Sequence, residues 1–288
     1  MNINWNTQIY CLIGHPISKT LSPVIHNNFY KLIDKNNIYL AFDVEEKDLY
    51  TIIEAIKILK IKGFNVTIPH KTIIINYLDK ISEEAKLIGA VNTVKNIDNK
   101  LIGYNTDGAG FIKSLELMNI DVKGKNILIL GAGGAAKAIA TSLALAEVNS
   151  IFISNRTLEK AKKLSQKLKY QFPRVLIDYG RLDLKKVDKK NIHMVVNCTS
   201  IGMYPNIDEL PIKLDGFSQN LIVYDIVYKP KKTKLLKLAE NKGYKTIDGL
   251  NMLINQGLYS QQIWLEDENY NIYNYFYKIR RILEKYVE

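Results

Sequence analysis

The glycine-rich segment that starts at residue 131 limits the folds open to this chain more than any other sequence feature. An apolar run, Asn126–Leu130, leads directly into Gly-Ala-Gly-Gly-Ala-Ala, and an Ala-rich stretch follows. In this pattern the first Gly makes a tight turn, the second lets the backbone approach a pyrophosphate, and Ala136 allows close helix–strand packing. The free N–H groups at the start of the next helix suit phosphates. Because a predicted strand precedes the glycines and a predicted helix follows them, the segment predicts a dinucleotide site rather than a plain turn. The residues predicted to contact the cofactor here are Gly131, Ala132, Gly133, Gly134 and Ala135.

The residues after the next predicted strand indicate which dinucleotide binds. An NAD site usually has Asp or Glu there, for the ribose 2′-hydroxyl. This chain has Asn155, Arg156 and Thr157 instead, with Lys160 about one helical turn further on. An Arg forms a planar fork that suits a 2′-phosphate and can stack on adenine, whereas the alternative is a solvated loop residue. The position, about 25 residues after the first Gly, is near the spacing expected for this site, so we predict NADP as the cofactor.

The rest of the chain alternates short apolar runs with longer amphipathic stretches, which predicts an α/β fold of βα units with a mainly parallel sheet. A length of 288 residues favours two domains. We predict an N-terminal α/β substrate domain over residues 1–108, which C-terminal helices from about residues 250–288 pack back on. A Rossmann NADP-binding domain is predicted over residues 109–249.

The predicted strands are at residues 9–13, 38–42, 64–67, 90–95, 100–104, 126–130, 151–154, 194–197, 221–224 and 245–247. The predicted helices are near residues 23–33, 47–59 and 134–146, and over most of the chain after residue 249 with a break near 267–270. Asp98-Asn99 predicts a hairpin-like turn.

Three polar clusters lie close to predicted strands of the first domain. They contain Thr67 and Lys71, then Asn92, then Asp107. Polar residues past the strands of an open α/β sheet point into the ligand crevice, so these side chains predict a site for a hydroxyl-rich ligand. Lys71 and Asp107 are the pair that could carry chemistry, because hydride transfer at a secondary alcohol needs a proton moved at the same oxygen, and a buried Lys can move it. The alternative for the pair is a structural salt bridge.

Composition excludes several other classes of protein. The net charge of +11 permits an anionic partner, but the Lys clusters at 185–190 and 229–237 lack interleaved aromatic residues, so nucleic-acid binding is not predicted. Two cysteines and four histidines at scattered positions give neither a disulfide framework nor a metal site. No run is apolar and long enough for a membrane span, and no secretory leader is evident. We therefore expect a cytoplasmic protein with a small-molecule substrate, as a monomer or homodimer.

Taken together, the motifs resemble those of the shikimate dehydrogenase family along nearly the whole chain. The matching segments, in chain order, begin at residues 14, 65, 89, 105, 131, 155, 197, 224 and 248 and read GHPISKTLSPVIHN, NVTIPHK, GAVNT, NTDG, GAGGAA, NRT, NCTS, YDIVY and DGLNMLINQ.

The resemblance implies NADP-linked interconversion of 3-dehydroshikimate and shikimate by hydride transfer at C3, a step toward chorismate and aromatic amino acids. It implies that Lys71 is the catalytic acid/base and Asp107 its partner. Asn92, Thr67 and Gln256 would bind ring hydroxyls. Thr20, Ser22 and Tyr228 would bind the carboxylate. The residues matching positions near the nicotinamide or the cofactor edge are Glu83, Ile226 and Gly249.

Two departures from the family pattern leave alternatives open. Thr20 stands where the family usually has Ser, and its extra methyl group could shift preference between shikimate and the bulkier quinate. Ile226 replaces a common Met, a mild apolar change. The alternatives are therefore a broader quinate/shikimate dehydrogenase, which sometimes uses NAD, and a catalytically silent NADP-binding regulator, against which the presence of both Lys71 and Asp107 argues.

Overall fold

The chain divides into two compact units in a computed structural model that describes residues 3–18, 20–266 and 271–287. The first unit holds the chain up to Gly110 together with Ile254–Tyr286, and the second holds Phe111–Leu253 with Val287. Each unit is built on one six-stranded sheet, in agreement with the predicted α/β class. The two divisions fall inside helices rather than in loops.

The elements up to the first division are, in chain order, β1 (Gln8–Gly14), α1 (Ser22–Leu32), β2 (Asn37–Asp43), α2 (Leu49–Ile58), β3 (Gly63–Val66), β4 (Lys80–Ile81), α3 (Glu83–Ile88), β5 (Thr93–Ile97), β6 (Lys100–Tyr104) and α4 (Asp107–Glu116). Those that follow are β7 (Asn126–Leu130), α5 (Gly134–Leu145), β8 (Ser150–Ser154), α6 (Leu158–Gln171), β9 (Leu176–Gly180), β10 (Met194–Asn197), β11 (Ile222–Asp225), α7 (Lys234–Asn241), β12 (Lys245–Ile247), α8 (Leu250–Leu265) and α9 (Phe276–Leu283).

The sheet of the first unit is mixed. Its strand order is β2-β1-β3-β5-β6-β4, with β1 parallel to β2 and β3, and β4 parallel to β6. Strand β5 runs antiparallel to both of its neighbours. Asp98 and Asn99 both have positive φ (49° and 66°), which a tight hairpin between β5 and β6 requires. Because β5 is reversed, its first residues lie at the edge where β3 and β6 end.

The sheet of the second unit is parallel throughout, in the order β12-β11-β10-β7-β8-β9. This is the doubly wound order, in which the chain reverses direction across the sheet between β7 and β10. Apolar clusters cover both faces, so the central strands β7 and β10 are almost wholly apolar. One buried carboxylate interrupts this core. Asp225 accepts hydrogen bonds from Asn197 Nδ2 (3.0 Å) and the Thr233 hydroxyl (2.7 Å), and its burial raises its pKa to about 6.

Most predicted elements are present, with differences at their ends. The strand predicted over residues 90–95 begins only at Thr93, because the preceding residues bend to place the Asn92 side chain among buried polar partners. The second predicted helix opens with a 3-10 turn, Glu46–Asp48, and is α-helical only from Leu49. The helices α3, α4, α6 and α7 and the strands β4 and β9 were not predicted. The break predicted near 267–270 lies outside the described residues.

A buried aromatic and polar cluster joins α1, β2 and α8 in the first unit. The Gln261 amide donates to His26 Nδ1 (2.6 Å) and to the Tyr30 hydroxyl (2.9 Å). The His26 ring stacks on Tyr39, with 4.1 Å between ring centroids, and Trp264 lies beside it. Burial of the ring lowers the pKa of His26 to about 3, so the imidazole is neutral at pH 7.

We predict that His26 makes the protein acid-sensitive. The unfolded chain binds a proton at this residue below about pH 6.5 and the folded chain does not until about pH 3, so the free energy of unfolding falls as pH falls through this window. The slope from this residue is about 1.4 kcal/mol per pH unit. In His26→Asn, the amide oxygen can still accept from Gln261 but does not titrate. Urea unfolding of wild type and variant between pH 7.5 and 4.5 should show their stability difference shrinking with acid. The exposed His193, replaced in the same way, controls for the loss of one histidine. A constant difference at all pH values would contradict the prediction.

Candidate functional site

The carboxyl edge of the first sheet brings Lys71, Asn92 and Asp107 together. Lys71 follows β3 in a turn that His70 anchors, because the buried His70 ring is hydrogen-bonded through Nε2 to the Val44 carbonyl (2.7 Å). The Lys71 carbonyl accepts from the Val91 amide (2.7 Å), which ties this turn to the segment just before β5. Asn92 lies just before β5 rather than within the strand predicted over residues 90–95, and it is at the edge where β3 and β6 end.

The Asp107 carboxylate is held on both of its oxygens. Lys71 Nζ donates to Oδ2 at 2.5 Å, and Asn92 Nδ2 donates to Oδ1 at 2.8 Å. The Lys71 and Asp107 side chains are only 16% and 6% exposed. A charge pair this far out of water is costly compared with apolar packing, and such pairs are concentrated at functional sites. The Lys71 ammonium is thus held by a fixed carboxylate, and its side chain stays partly exposed to solvent.

A buried hydrogen-bond network lies behind this pair, and sequence reasoning assigned no role to most of its members. Asn92 Oδ1 accepts from the Thr106 amide (2.8 Å) and the Thr93 hydroxyl (3.0 Å). Asn65 Nδ2 donates to Thr93 Oγ1 and to Ser260 Oγ, both at 3.0 Å. Ser260 also bonds Thr93 Oγ1 at 2.8 Å. The one sequence signal for Ser260 is its position four residues after Gln256, on the same face of α8.

Gln256 is the predicted ring-hydroxyl residue that the structure places beside this network. Its Oε1 accepts from Asn92 Nδ2 at 3.4 Å. The helix that carries it passes so close to Gly110 that a Cβ there would lie 2.7 Å from the Gln256 backbone nitrogen. Thr67 is half-buried just past β3, and its amide donates to the Ile13 carbonyl (3.0 Å).

Thr20 and Ser22 lie at the start of α1, beyond the end of β1. Because β1 and β3 are parallel, this is the edge at which Lys71 lies. The two hydroxyls are hydrogen-bonded to each other at 3.2 Å, and the Ser22 amide also donates to Thr20 Oγ1 (3.2 Å). Two adjacent hydroxyls form a small donor group of the kind that binds a carboxylate.

In the second unit, the glycine-rich turn follows β7 as predicted. Gly131 has φ +110°, a conformation that L side chains avoid, and a Cβ on it would lie 3.1 Å from the Cys198 carbonyl oxygen. Gly133 precedes α5, has no side-chain cap, and has no atom within 4 Å of a Cβ position. Uncapped N–H groups beside open space fit a pyrophosphate at this helix start. The other predicted contacts, which share this turn, are Ala132, Gly134 and Ala135.

The residues after β8 also lie where an adenosine ribose would bind in this fold. The Asn155 amide donates to the Gly180 carbonyl (3.1 Å), and its side chain donates to the Thr157 carbonyl (2.8 Å). This fixes the short segment that carries Arg156, which is exposed, and Thr157 precedes the first residue of α6. Lys160, also exposed, lies in the first turn of that helix.

Four predicted residues lie elsewhere. Gly249 packs directly on the Ile226 backbone, where a Cβ would clash with the Ile226 carbonyl. Tyr228 is half-buried shortly after β11. Glu83 begins α3 and forms an exposed ion pair with Lys86 (2.5 Å). The roles of these four toward ligands stay predictions.

No group of three or more His, Cys, Asp or Glu side chains in residues 3–18, 20–266 and 271–287 could hold a metal ion. Within the same ranges, no helix has the length and apolar character needed to cross a membrane.

Known proteins resemble this chain over nearly its whole length. The shikimate dehydrogenase substrate binding domain matches residues 12–94, and the family described as shikimate / quinate 5-dehydrogenase matches residues 114–200. A shikimate dehydrogenase (NADP(+)) from Caldanaerobacter subterraneus subsp. tengcongensis is 44% identical over 265 residues, which cover 92% of this chain and 94% of that protein.

Two crystal structures are similar throughout the fold. A shikimate dehydrogenase in complex with NADP+ has a TM-score of 0.91 at 42% identity, over 100% of this chain and 98% of that one. A shikimate 5-dehydrogenase from Listeria monocytogenes, in complex with shikimate and NAD, has a TM-score of 0.88 at 36% identity, over 97% and 98% of the two chains.

We predict that the network behind Asn92 depends on Ser260. Removing its hydroxyl in Ser260→Ala leaves the buried Asn65 amide and the Thr93 hydroxyl with one partner fewer, which should lower the free energy of unfolding by about 1–3 kcal/mol. Ser165 is the matched control, because its Oγ is equally buried but has no hydrogen-bond partner among the residues that the structure describes. Ser165→Ala should therefore be neutral or slightly stabilising. Equal losses in the two variants, measured by urea unfolding, would contradict the role given to Ser260.

Proposed function

This chain belongs to the shikimate dehydrogenase family, and we propose that it is an NADP-dependent enzyme that interconverts 3-dehydroshikimate and shikimate, a step toward chorismate and aromatic amino acids. The observation that carries the reaction type is the pair of Lys71 and Asp107, largely buried and 2.5 Å apart. An alcohol–ketone interconversion requires a group that moves a proton at the reacting oxygen, and this pair supplies one.

The proton steps follow from the geometry of the pair. In the direction of reduction, the Lys71 ammonium donates a proton to the C3 carbonyl oxygen as that oxygen gains negative charge. In the direction of oxidation, the Lys71 amine removes the proton from the C3 hydroxyl. Asp107 holds the ammonium in place and compensates its charge, while Asn92 keeps the carboxylate from rotating. Bound NADP supplies the donor or acceptor of the hydride at C3.

The remaining polar side chains of the first unit are suited to a hydroxylated ring carboxylate. We assign Asn92, Gln256 and Thr67 to the ring hydroxyls, and the hydroxyls of Thr20 and Ser22 to the carboxylate. This assignment is supported by the 3.4 Å contact between Asn92 and Gln256 and by the paired hydroxyls at the start of α1. Tyr228 is proposed as a further carboxylate ligand from its position in the family motif.

The second unit fits NADP better than NAD. Its glycine-rich turn presents uncapped helix N–H groups for the pyrophosphate. No carboxylate follows β8 at residues 155–157, where a ribose 2′-hydroxyl would need one, and the cations Arg156 and Lys160 stand there instead. A related Listeria monocytogenes structure contains NAD, so the choice of cofactor is worth testing directly. We expect a cytoplasmic enzyme, monomeric or dimeric, with no nucleic-acid or membrane partner.

Initial rates of nicotinamide reduction should be highest with shikimate and NADP⁺. The four pairings of shikimate or quinate with NADP⁺ or NAD⁺, followed by absorbance, test this. Comparable rates with quinate or NAD⁺ would identify a broader quinate/shikimate dehydrogenase, and Thr20→Ser would then test the source of the quinate activity. NADP⁺ binding without turnover in any pairing would identify a binding-only regulator.

Lys71→Ala should lower kcat by about 10²–10⁴, because the proton must then move without a positioned acid/base. The affinity for NADP, measured by calorimetry, should change far less. Lys57→Ala is a suitable control, since Lys57 is also partly buried and also pairs with a carboxylate, that of Glu54 at 3.0 Å. The control should keep its kcat within about twofold. A Lys71 variant with full kcat would refute the acid/base assignment.

A further inference from the structure

We propose that Arg181 binds the 2′-phosphate of NADP together with Arg156, so that the phosphate is held from two strand ends rather than one. This inference rests on the proposed NADP dependence and adds a residue that determines cofactor choice. Arg181 is the first residue after β9, a strand that sequence reasoning missed, and no motif contains it.

The pairing of β8 with β9 places Arg181 beside the predicted cofactor segment. Ser154, the last residue of β8, is in register with Gly180, the last residue of β9. The next residues, Asn155 and Arg181, therefore leave the sheet side by side, about 4.8 Å apart. Arg156 is one position further along, so the two long Arg side chains start from neighbouring points on the same edge.

The backbone of Arg181 is firmly held there. Its carbonyl accepts from the buried Ser154 hydroxyl (2.7 Å) and from the Leu184 amide (3.3 Å). The Gly180 carbonyl accepts from the Asn155 amide (3.1 Å), which locks the two segments together. Leu184 is buried in the core and ends the turn. A site whose backbone is fixed before binding loses less entropy when a ligand is bound.

The Arg181 side chain is available for an anion. It is exposed, and within the described parts of the chain its guanidinium has no ion pair or hydrogen bond. The exposed carboxylates of Asp178 and Asp183 lie three and two residues from Arg181, and they already accept from the Tyr179 amide (2.8 Å) and the Lys185 amide (3.2 Å). The exposed Glu159 lies three residues after Arg156. A 2′-phosphate carries up to two negative charges and several acceptor oxygens, which suits two guanidinium forks.

The test compares 2′,5′-ADP with ADP, because only the former carries the 2′-phosphate. Calorimetry on the full-length protein gives both affinities without any turnover. Arg181→Gln should weaken 2′,5′-ADP binding by about 5- to 20-fold, like Arg156→Gln, and should change ADP binding by less than about twofold. Arg181→Lys, which keeps the charge but not the fork, should fall between. Arg174→Gln is the matched control: Arg174 is exposed near the opposite end of β9, and its loss should change neither affinity.

Each other outcome overturns a stated part of the proposal. If wild type prefers 2′,5′-ADP and Arg181→Gln keeps that preference, the Arg181 assignment is wrong and the NADP dependence stands. If the variant weakens both ligands equally, Arg181 contacts the adenine or the shared phosphate instead. If wild type binds both ligands equally, the NADP preference itself fails and the Arg181 assignment fails with it.

Discussion

Two buried amides, Asn65 and Asn92, need hydrogen-bond partners, and the bonds that satisfy them position Lys71, Asp107 and Gln256 in the candidate substrate site. A buried amide without a hydrogen-bond partner lowers the free energy of unfolding by about 1–3 kcal/mol. Asn65 is satisfied by Tyr39, Thr93 and Ser260, which come from a strand on each side of it and from α8. These bonds fix the position of α8 relative to the sheet, and through α8 they fix Gln256.

The same requirement extends to the charged pair. Asn92 Nδ2 donates to one oxygen of the Asp107 carboxylate, and Lys71 Nζ donates to the other. A Lys alone at this edge would sample many rotamers, and ordering it costs conformational entropy. Because the neutral network lies behind the carboxylate, that entropy is lost on folding, before any substrate binds. In the proposed mechanism, the Lys71 ammonium is therefore oriented before the substrate binds.

The candidate phosphate site of the second unit depends on the backbone rather than on a side-chain network. Its glycine-rich turn uses backbone N–H groups and open space rather than side chains, so almost any phosphate could bind there. Selection between NADP and NAD must then come from residues beside this turn, at the rim formed by the residues that follow β8 and β9. The residues after β8 and β9 supply cations at that rim, and two inter-strand hydrogen bonds hold these residues together. Under the proposed assignment, pyrophosphate binding and cofactor choice therefore depend on different residues.

The sequence by itself determined the α/β class, most strands and helices, and the pairing of the glycine-rich turn with an Arg after the next strand, because these depend on local periodicity and on residue types at fixed spacing. It also indicated Lys71 and Asp107, since both stand in short polar motifs next to strands. Local pattern could not show that β5 is reversed and begins only at Thr93, so Asn92 was expected within a strand but lies just before one. Nor could it show that Ser260 closes the network or that Arg181 lies beside Arg156. Ser260 is 195 residues from Asn65, and Arg181 follows a strand that the sequence did not predict. Only the tertiary structure decided these contacts, because hydrogen-bond satisfaction and strand order join residues that no short sequence window contains.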